Sequence, residues 1–346
     1  MLAHDVDVLV IGAGQAGLAM AYHLGKKSVS YLLLDSNRQV GDSWRNRYDS
    51  LKLFTPRSSN ALPGLEMSGN PHGFPSKDEV ADYLEFYARH HKINVRMNET
   101  VEQVVQESNG FRVTTRQGEW TARNIVVASG PFHTPFIPQL AGAVSDSVYQ
   151  VHTASYRNPS QLQEGAVVVV GAGNSGVQIA VELAATGREV SLAVGEPMKL
   201  LPYQVLNRSI FWWLDKLGIT RVSVNTKLGQ KLSKRAPIIG KDIKPLISRG
   251  AVKLRPRARS IEGRSVTFAD GTSCEVSNII WSTGYQNDYS WLQVQGLFDQ
   301  DGKLMHDRGK TPVPGVYFLG LHWQHNLGSG MMLGVGEDAE YLASLL

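Results

Sequence analysis

Cysteine is almost absent: Cys274 is the only one in 346 residues. A single thiol excludes an internal disulfide and a C-x-x-C redox pair. It fits a reducing compartment, so the cytoplasm is the expected location. No apolar run reaches the roughly 20 residues of a membrane span, and no membrane insertion is expected. The amino-terminal stretch MLAHDVDVLVIG passes straight into a strand and lacks the marks of a secretory leader. Charge of one sign is scarce too. Lys and Arg number 35 against 31 Asp and Glu, a net +4, too mild to imply a nucleic-acid partner. The stretch 227–264 is more basic, but it lacks the interleaved aromatics of a base-stacking platform. It reads as a solvated face, or as a field that attracts a dinucleotide phosphate. His322 and His325 have no Cys or further His cluster beside them, so no metal ligands are assigned. Neither a Ser–His–Asp set nor a working pair of carboxylates is evident.

Glycine, by contrast, is plentiful, with 34 residues, and two groups of them repeat. VLVIGAGQAG at 8–17 and VVVVGAGNSG at 167–176 align without gaps. Each is a continuous apolar strand, as expected for a strand covered on both faces, opening into G-x-G-x-x-G and then a helical pattern. In the first copy Gly12 permits the tight turn, Gly14 lets backbone approach a pyrophosphate, and Gly17 lets helix pack on strand. Gln15 starts the helix, whose free N–H groups suit an anion. The next strand, VSYLLLD, ends in Asp35, a ribose acceptor. In the second copy Gly171, Gly173 and Gly176 take the glycine positions, with Asn174 and Ser175 opening the helix. The residue matching Asp35 is Val194, followed by Gly195 and Glu196. Two cradles that treat their ribose differently suggest two different dinucleotides, FAD in the first and a nicotinamide in the second.

Each half also closes alike. RNIVVASGPFHTP at 123–135 and SNIIWSTGY at 277–285 are apolar strands ending in small-residue turns, Ser129–Gly130 and Thr283–Gly284–Tyr285. The expected fold is α/β, with two Rossmann-like dinucleotide-binding domains and the nicotinamide domain inserted into a discontinuous FAD domain. The expected boundaries are 1–160 and 286–346 for FAD and 161–285 for NADPH or NADH.

The motifs GAGQAG, GDSWRNRYDSLKLFTP, ASGPFHTP, GAGNSG and STGY, in this order over essentially the whole chain, resemble the class B flavin-dependent monooxygenases. QVHTASYRNP and GLHWQHNLGSG carry a narrower likeness to bacterial flavoproteins associated with cation efflux and to small bacterial flavin monooxygenases; the plant YUCCA enzymes are more distant. The resemblance implies that NAD(P)H reduces the flavin at N5. Oxygen then adds at C4a, and the peroxyflavin attacks a soft sulfur or nitrogen, or a ketone. It implies a small-molecule substrate and O2 as partners, and a homodimer. Trp44 would lie along the FAD and Arg45 would meet a phosphate, the alternative being a surface loop with one packing tryptophan. A helix beginning at Met331 or Met332 would aim its N-terminus at the flavin. Trp323 and His325 would line the active site.

The departures matter equally. The linker fingerprint F-x-G-x-x-x-H keeps His152 and the following Tyr156, but has Asp146 and Val148 at its Phe and Gly positions. Phe54 falls where relatives carry an active-site Asn, leaving Asn326 as the amide that could substitute. That weakens the case for oxygen transfer more than for flavin reduction, so an NAD(P)H oxidase or reductase is the first alternative. A redox-sensing accessory of a cation exporter is the second. A disulfide reductase is disfavoured by the lone cysteine. Gly195 stands where NADPH-specific relatives carry Arg, and Glu196 suits a free ribose hydroxyl, so NADH is expected to be accepted. Arg188 and Lys199 are the alternative phosphate ligands. The aromatic stretch 210–218 is expected to pack in a core, with a substrate channel wall or a subunit contact as its rival.

Overall fold

The structure, a computed structural model, describes residues 5–234 and 237–346. The first four residues of the amino-terminal stretch, and Arg235 and Ala236 of the basic stretch, lie outside the described residues.

β1 (Val6–Ile11), α1 (Gln15–Lys26) and β2 (Tyr31–Asp35) form the first parallel unit. α2 (Lys77–His90) leads to β3 (Val95–Met97), which pairs with β2. Its start is strongly specified. Ser76 and Glu79 form a reciprocal capping box, Asp78 and Glu79 sit in the first turn, and Arg89 and His90 in the last, all favourable to the helix dipole. The meander β4 (Val101–Glu107), β5 (Gly110–Thr115), β6 (Glu119–Val127) then brings β6 beside β1 in parallel.

The chain next enters a second sheet. β7 (Tyr149–His152), β8 (Val167–Val170), β9 (Val190–Val194) and β10 (Val252–Pro256) belong to it, with α3 (Asn174–Ala185) joining β8 to β9 and α4 (Ile210–Lys216) lying beyond. A small antiparallel sheet, β11 (Ala258–Glu262), β12 (Ser265–Phe268) and β13 (Ser273–Glu275), precedes β14 (Asn278–Trp281). The second sheet runs β10-β9-β8-β14-β7 and is parallel throughout. The chain then returns to the first sheet: β15 (Leu292–Gln293) pairs with β4 and β16 (Val316–Phe318) with β6. α5 (Met332–Ala343) ends the fold and packs on α1.

One expected boundary moves. Residues 149–152 were assigned to the first unit, yet β7 pairs with β14 at the edge of the second sheet. Pairing there satisfies backbone groups along β14 that would otherwise form an open edge.

Strand alternation distributes apolar side chains to both faces of each sheet. Val8 and Val10 join one cluster with α1 and α5, whereas Leu9 and Ile11 join another with β4–β6. Val167 and Val169 pack with α3, and Val168 packs with the small antiparallel sheet. Both glycine turns thereby emerge from strands that cannot shift without exposing a core.

Candidate active site

At the carboxyl end of β1 the chain turns through Gly12, with φ +110°. A Cβ there would press on the Ala128 carbonyl, and one on Gly17 would overlap the carbonyl of Gly12. Gly14 differs: a Cβ on it would meet no atom within 4 Å. Gly14 borders a cleft of about 520 Å³, the open space that a phosphate requires at such a turn. α1 begins here with Gly14 as its cap, no capping side chain and no acid in its first turn, which leaves N–H groups for an anion. Asp35 braces the turn. Its Oδ2 accepts from the Ala13 N–H at 2.7 Å, and its Oδ1 accepts from the N–H and Nδ2 of Asn37, each at 2.8 Å.

The second turn repeats this construction. Gly171 has φ +105°, and a Cβ on it would clash with the Ser282 carbonyl; one on Gly176 would clash with Gly171. A Cβ on Gly173 meets nothing within 4 Å. α3 starts there without a side-chain cap or an early acid. Asn174 is turned inward, its Oδ1 accepting the Ile239 N–H at 2.9 Å. Val194 supplies no brace equivalent to Asp35.

The cleft is lined mainly by the first unit, with loop residues that adjoin the second sheet completing it. Gly12, Gly14, Gln15, Asp35, Trp44, Ser129 and Gly130 border it from the first unit, and Tyr285 from the segment after β14. The tail borders it through Gly320, Gly330 and Val335. There α5 begins at Met332 with Met331 as N-cap, again without a capping side chain or an acid in the first turn. All three 12-residue helices thus bring bare N-termini to a glycine turn or to this cleft. α2, which does not, carries a full capping box.

Arg45 does not face the cleft. Its guanidinium meets Glu85 at 2.6 Å and Asp82 at 3.0 Å and donates to the Val40 carbonyl at 2.8 Å. The short helical turn Asp42–Arg45 carries Arg45 toward α2 and leaves Arg47 as the cleft-facing arginine. Arg47 Nη1 donates to the Tyr285 hydroxyl at 2.6 Å, and its guanidinium lies 5.0 Å from the Phe132 ring centroid. Trp44 does border the cleft, and its Nε1–H donates to Gln15 Oε1 at 3.4 Å. Glu99 was also missed by the sequence reading. It lines the cleft beside Asp35, is 9% exposed, and its Oε2 has no hydrogen-bond partner. An orphaned buried carboxylate oxygen is costly, and a ligand hydroxyl or amine would satisfy it.

The segment 44–52 holds the two units together. After Trp44 and Arg47, Tyr48 enters the second core, where burial pushes its hydroxyl up to about 12. It stays protonated and donates to Gln178 Oε1 of α3 at 2.8 Å. Asp49 N–H donates to the Arg157 carbonyl at 2.8 Å. On the opposite side of the joint, His152 Nε2 donates to the Gly284 carbonyl at 3.0 Å and its Nδ1 accepts the Ala154 N–H at 3.1 Å. These contacts select one neutral tautomer, and burial lowers the ring's pKa. The Tyr285 ring stands edge-on to His152, 5.1 Å between centroids. Thr283 Oγ1 donates to the Phe136 carbonyl, so this turn is tied to the first unit.

The four expected catalytic residues do not line the large cleft. Asn326 borders a second cavity of about 450 Å³, which also touches Phe211, Trp212, Arg208 and Leu333. Its Oδ1 accepts the Gly328 N–H at 2.8 Å. Phe54 stacks on Phe211 with 5.7 Å between centroids. Trp323 is buried at φ +54°, its Nε1 unpartnered. The His325 carbonyl accepts the Val224 N–H at 2.7 Å, which ties this loop to the segment between β9 and β10. The core expectation for 210–218 holds only for Phe211; Trp212 is exposed, and α4 forms a cavity wall. Among the described residues no group of three or more His, Cys, Asp or Glu could hold a metal ion, and no helix is long and apolar enough to cross a membrane. Cys274 sits on β13, outside both cavities.

Two glycine turns at the carboxyl edges of two adjoining sheets, with a cleft lined mainly by the first unit and completed by loops that adjoin the second sheet, define an oxidoreductase that couples two dinucleotides. The chain belongs to the pyridine nucleotide-disulphide oxidoreductase family, matched over residues 9–201, and is an enzyme of the flavin monooxygenase kind. It is 52% identical over 342 residues to an uncharacterized CzcO-like oxidoreductase of Geobacillus kaustophilus, covering 99% of this chain and 98% of that one. It is 28% identical to the probable indole-3-pyruvate monooxygenase YUCCA1 of Arabidopsis thaliana, over 97% of this chain and 88% of that one. The solved flavin-containing monooxygenase of Stenotrophomonas maltophilia is 26% identical and superposes with a TM-score of 0.82, covering 98% and 97% of the two chains.

Proposed function

We propose that the protein is an NADPH-dependent monooxygenase that transfers one oxygen atom of O2 to a small soft nucleophile, sulfur or nitrogen, or to a ketone. FAD would occupy the cleft of about 520 Å³, bound by the first sheet and the tail; the second sheet is then the inserted NADPH unit. The observation that carries this reading is the arrangement of bare helix N-termini. α1 and α3 each open a glycine cradle, and α5 opens beside the same cleft as α1.

The residues fit the flavin nucleotide. The open side of Gly14 leaves room for phosphate, and the unpaired Glu99 Oε2 calls for a donor beside Asp35. When bound, FAD supplies hydride acceptance from NADPH and the activation of oxygen. The chain's own groups bind, orient and exclude water. The first turn of α5 offers N–H groups where negative charge would gather. Arg47, held by Tyr285, adds a fixed positive charge to the cleft wall. Phe211, Trp212 and Leu333 give the second cavity an apolar wall against which a small substrate could rest.

A second reading, reduction of O2 without oxygen transfer, is favoured by one observation: the position of the expected amide is held by Phe54, whose ring is spent on Phe211. One measurement separates the two. Purified holoprotein is reduced with NADPH, mixed with O2 and offered a panel of thioethers, amines and ketones. A monooxygenase consumes O2 in step with an oxygenated product, whereas stoichiometric hydrogen peroxide with every candidate sinks that reading.

A further inference from the structure

The second cradle lacks the carboxylate that braces the first, and what replaces it comes from a distant part of the chain. Val194 ends β9, and Pro256 ends β10; the two are register partners in a parallel pair. The next residues, Gly195 and Arg257, therefore emerge side by side at the carboxyl edge of the sheet, the edge on which Gly171 and Gly173 form the turn. Ligands of open α/β sheets bind outside this edge. β9 lies between β10 and β8, so Arg257 stands two strand spacings, roughly 10 Å, from the cradle strand. In a dinucleotide fold that is the adenosine end of the ligand.

Gly195 leaves room for the guanidinium. A Cβ there would lie 3.0 Å from Arg257 Nη2 and 3.4 Å from its Cζ, tighter than a side chain tolerates without displacing its neighbour. The backbone at Gly195 is not in the left-handed region, so conformation does not demand glycine here; its bare Cα lets the guanidinium of Arg257 approach undisturbed. The guanidinium is exposed and has no carboxylate within ion-pair distance among the described residues. Two other basic residues, both on β10, are committed elsewhere. Lys253 pairs with Glu189, and Arg255 lies over Phe268. Arg188, named as an alternative phosphate ligand, sits before β9 at the opposite edge and donates to the Leu162 and Gln163 carbonyls.

We propose that Arg257, admitted by the bare Cα of Gly195, holds the 2′-phosphate of NADPH and makes the protein prefer NADPH to NADH. This rests on the reading of the second turn as the nicotinamide-coenzyme site. It reverses the expectation of NADH use drawn from Gly195 and Glu196. The arginine is supplied across the sheet, so its absence at position 195 does not decide the matter. A guanidinium can bond two phosphate oxygens at once, whereas a free ribose hydroxyl gains little from it.

The test uses FAD-loaded protein and binding, not turnover. Dissociation constants are measured by calorimetry for adenosine 2′,5′-bisphosphate, AMP, NADP⁺ and NAD⁺. Wild type is expected to bind the 2′-phosphorylated member of each pair at least tenfold tighter. Arg257→Ala and Arg257→Gln should abolish that ratio by weakening only the phosphorylated ligands. Gly195→Ala, which pushes the guanidinium aside, should reduce it severalfold. Equal binding of each pair by wild type, or an unchanged ratio in both Arg257 variants, overturns the proposal and leaves the coenzyme site standing. Failure of all four ligands to bind overturns the site and the proposal together.

Discussion

The two glycine turns share a backbone solution and differ in what surrounds it. In both, the first glycine takes a positive φ against a neighbouring strand's carbonyl, and the third sits on the first. Around the first turn Asp35 spends its carboxylate on backbone N–H groups, and the cleft beyond is deep and shared with the tail. Around the second, Val194 leaves the turn unbraced, and an exposed arginine stands beside Gly195. On the proposed reading the first cradle is a permanent seat for the flavin and the second a docking edge for an exchanging coenzyme.

The largest effects should come from breaking the shared part. Gly17→Ala and Gly176→Ala each drive a methyl group into a backbone carbonyl, an overlap worth about 1–3 kcal/mol or more. Their consequences should diverge. Gly17→Ala is expected to yield protein with flavin content reduced at least tenfold, read from the visible absorbance of the purified protein. Gly176→Ala should keep its colour and lose at least about a hundredfold, roughly 2.7 kcal/mol, in the anaerobic rate of flavin reduction by NADPH. Two colourless variants would mean that the turns do not serve separate ligands.

Asp35→Ala should be intermediate. It removes three hydrogen bonds to an ionised acceptor, of which bonds to charged groups are worth about 1.5–3 kcal/mol each. Partial rescue by water leaves an expected 10- to 100-fold rise in the FAD dissociation constant, measured by reconstitution of apoprotein. Glu99→Gln sharpens the comparison. It leaves the brace intact and alters only the orphaned carboxylate, so its flavin affinity should fall by a smaller factor, several-fold. A Glu99→Gln loss equal to that of Asp35→Ala would make Glu99, and not the brace, the principal adenosine-end contact.

A smaller effect separates capped from uncapped helices. Ser76→Ala breaks the capping box of α2 and should cost about 1 kcal/mol in denaturant unfolding, with flavin content and NADPH reduction unchanged. A loss of flavin in that variant would tie α2 to the cleft, contrary to the contrast drawn between it and the three bare helices.

The repeat was legible because its glycines answer to backbone geometry, which depends on neighbours in sequence. The strand within 277–285 and the acid at Asp35 were legible from local pattern, whereas Trp44 and a helix beginning at Met331 or Met332 were implied by the family resemblance. What escaped depends on contacts remote in sequence. Arg45 and Arg47 are two residues apart, and α2's Asp82 and Glu85, remote in sequence, help to decide which is consumed. β7 joins the second sheet because β14, well over a hundred residues later, offers it an edge. Arg257 reaches Gly195 only through the register of β9 and β10. Glu99 carried no motif at all; its signal is an unpaired buried oxygen, which exists only in three dimensions.

The smallest expected effect lies at the joint between the turns. His152 is buried, donates through Nε2 to Gly284 and accepts through Nδ1 from Ala154, and burial lowers its pKa below the ordinary 6.5. Above pH 6.5 the ring is neutral in both folded and unfolded chains, so this group contributes no pH dependence. Between 6.5 and its lower folded value, the unfolded chain binds a proton that the folded chain refuses, and stability falls as pH falls. The slope from one such group is at most about 1.4 kcal/mol per pH unit in that window. His23, His91 and His306 are lowered by burial as well and add to it. His152→Gln, which can still donate to Gly284, should flatten the curve of denaturation midpoint against pH below 6.5 without removing the slope entirely. If acid weakens the joint itself, wild type should also lose flavin-reduction rate in that window, and the variant should lose less. An identical pH profile in both proteins would place the acid sensitivity in the other histidines and leave the joint a passive hinge.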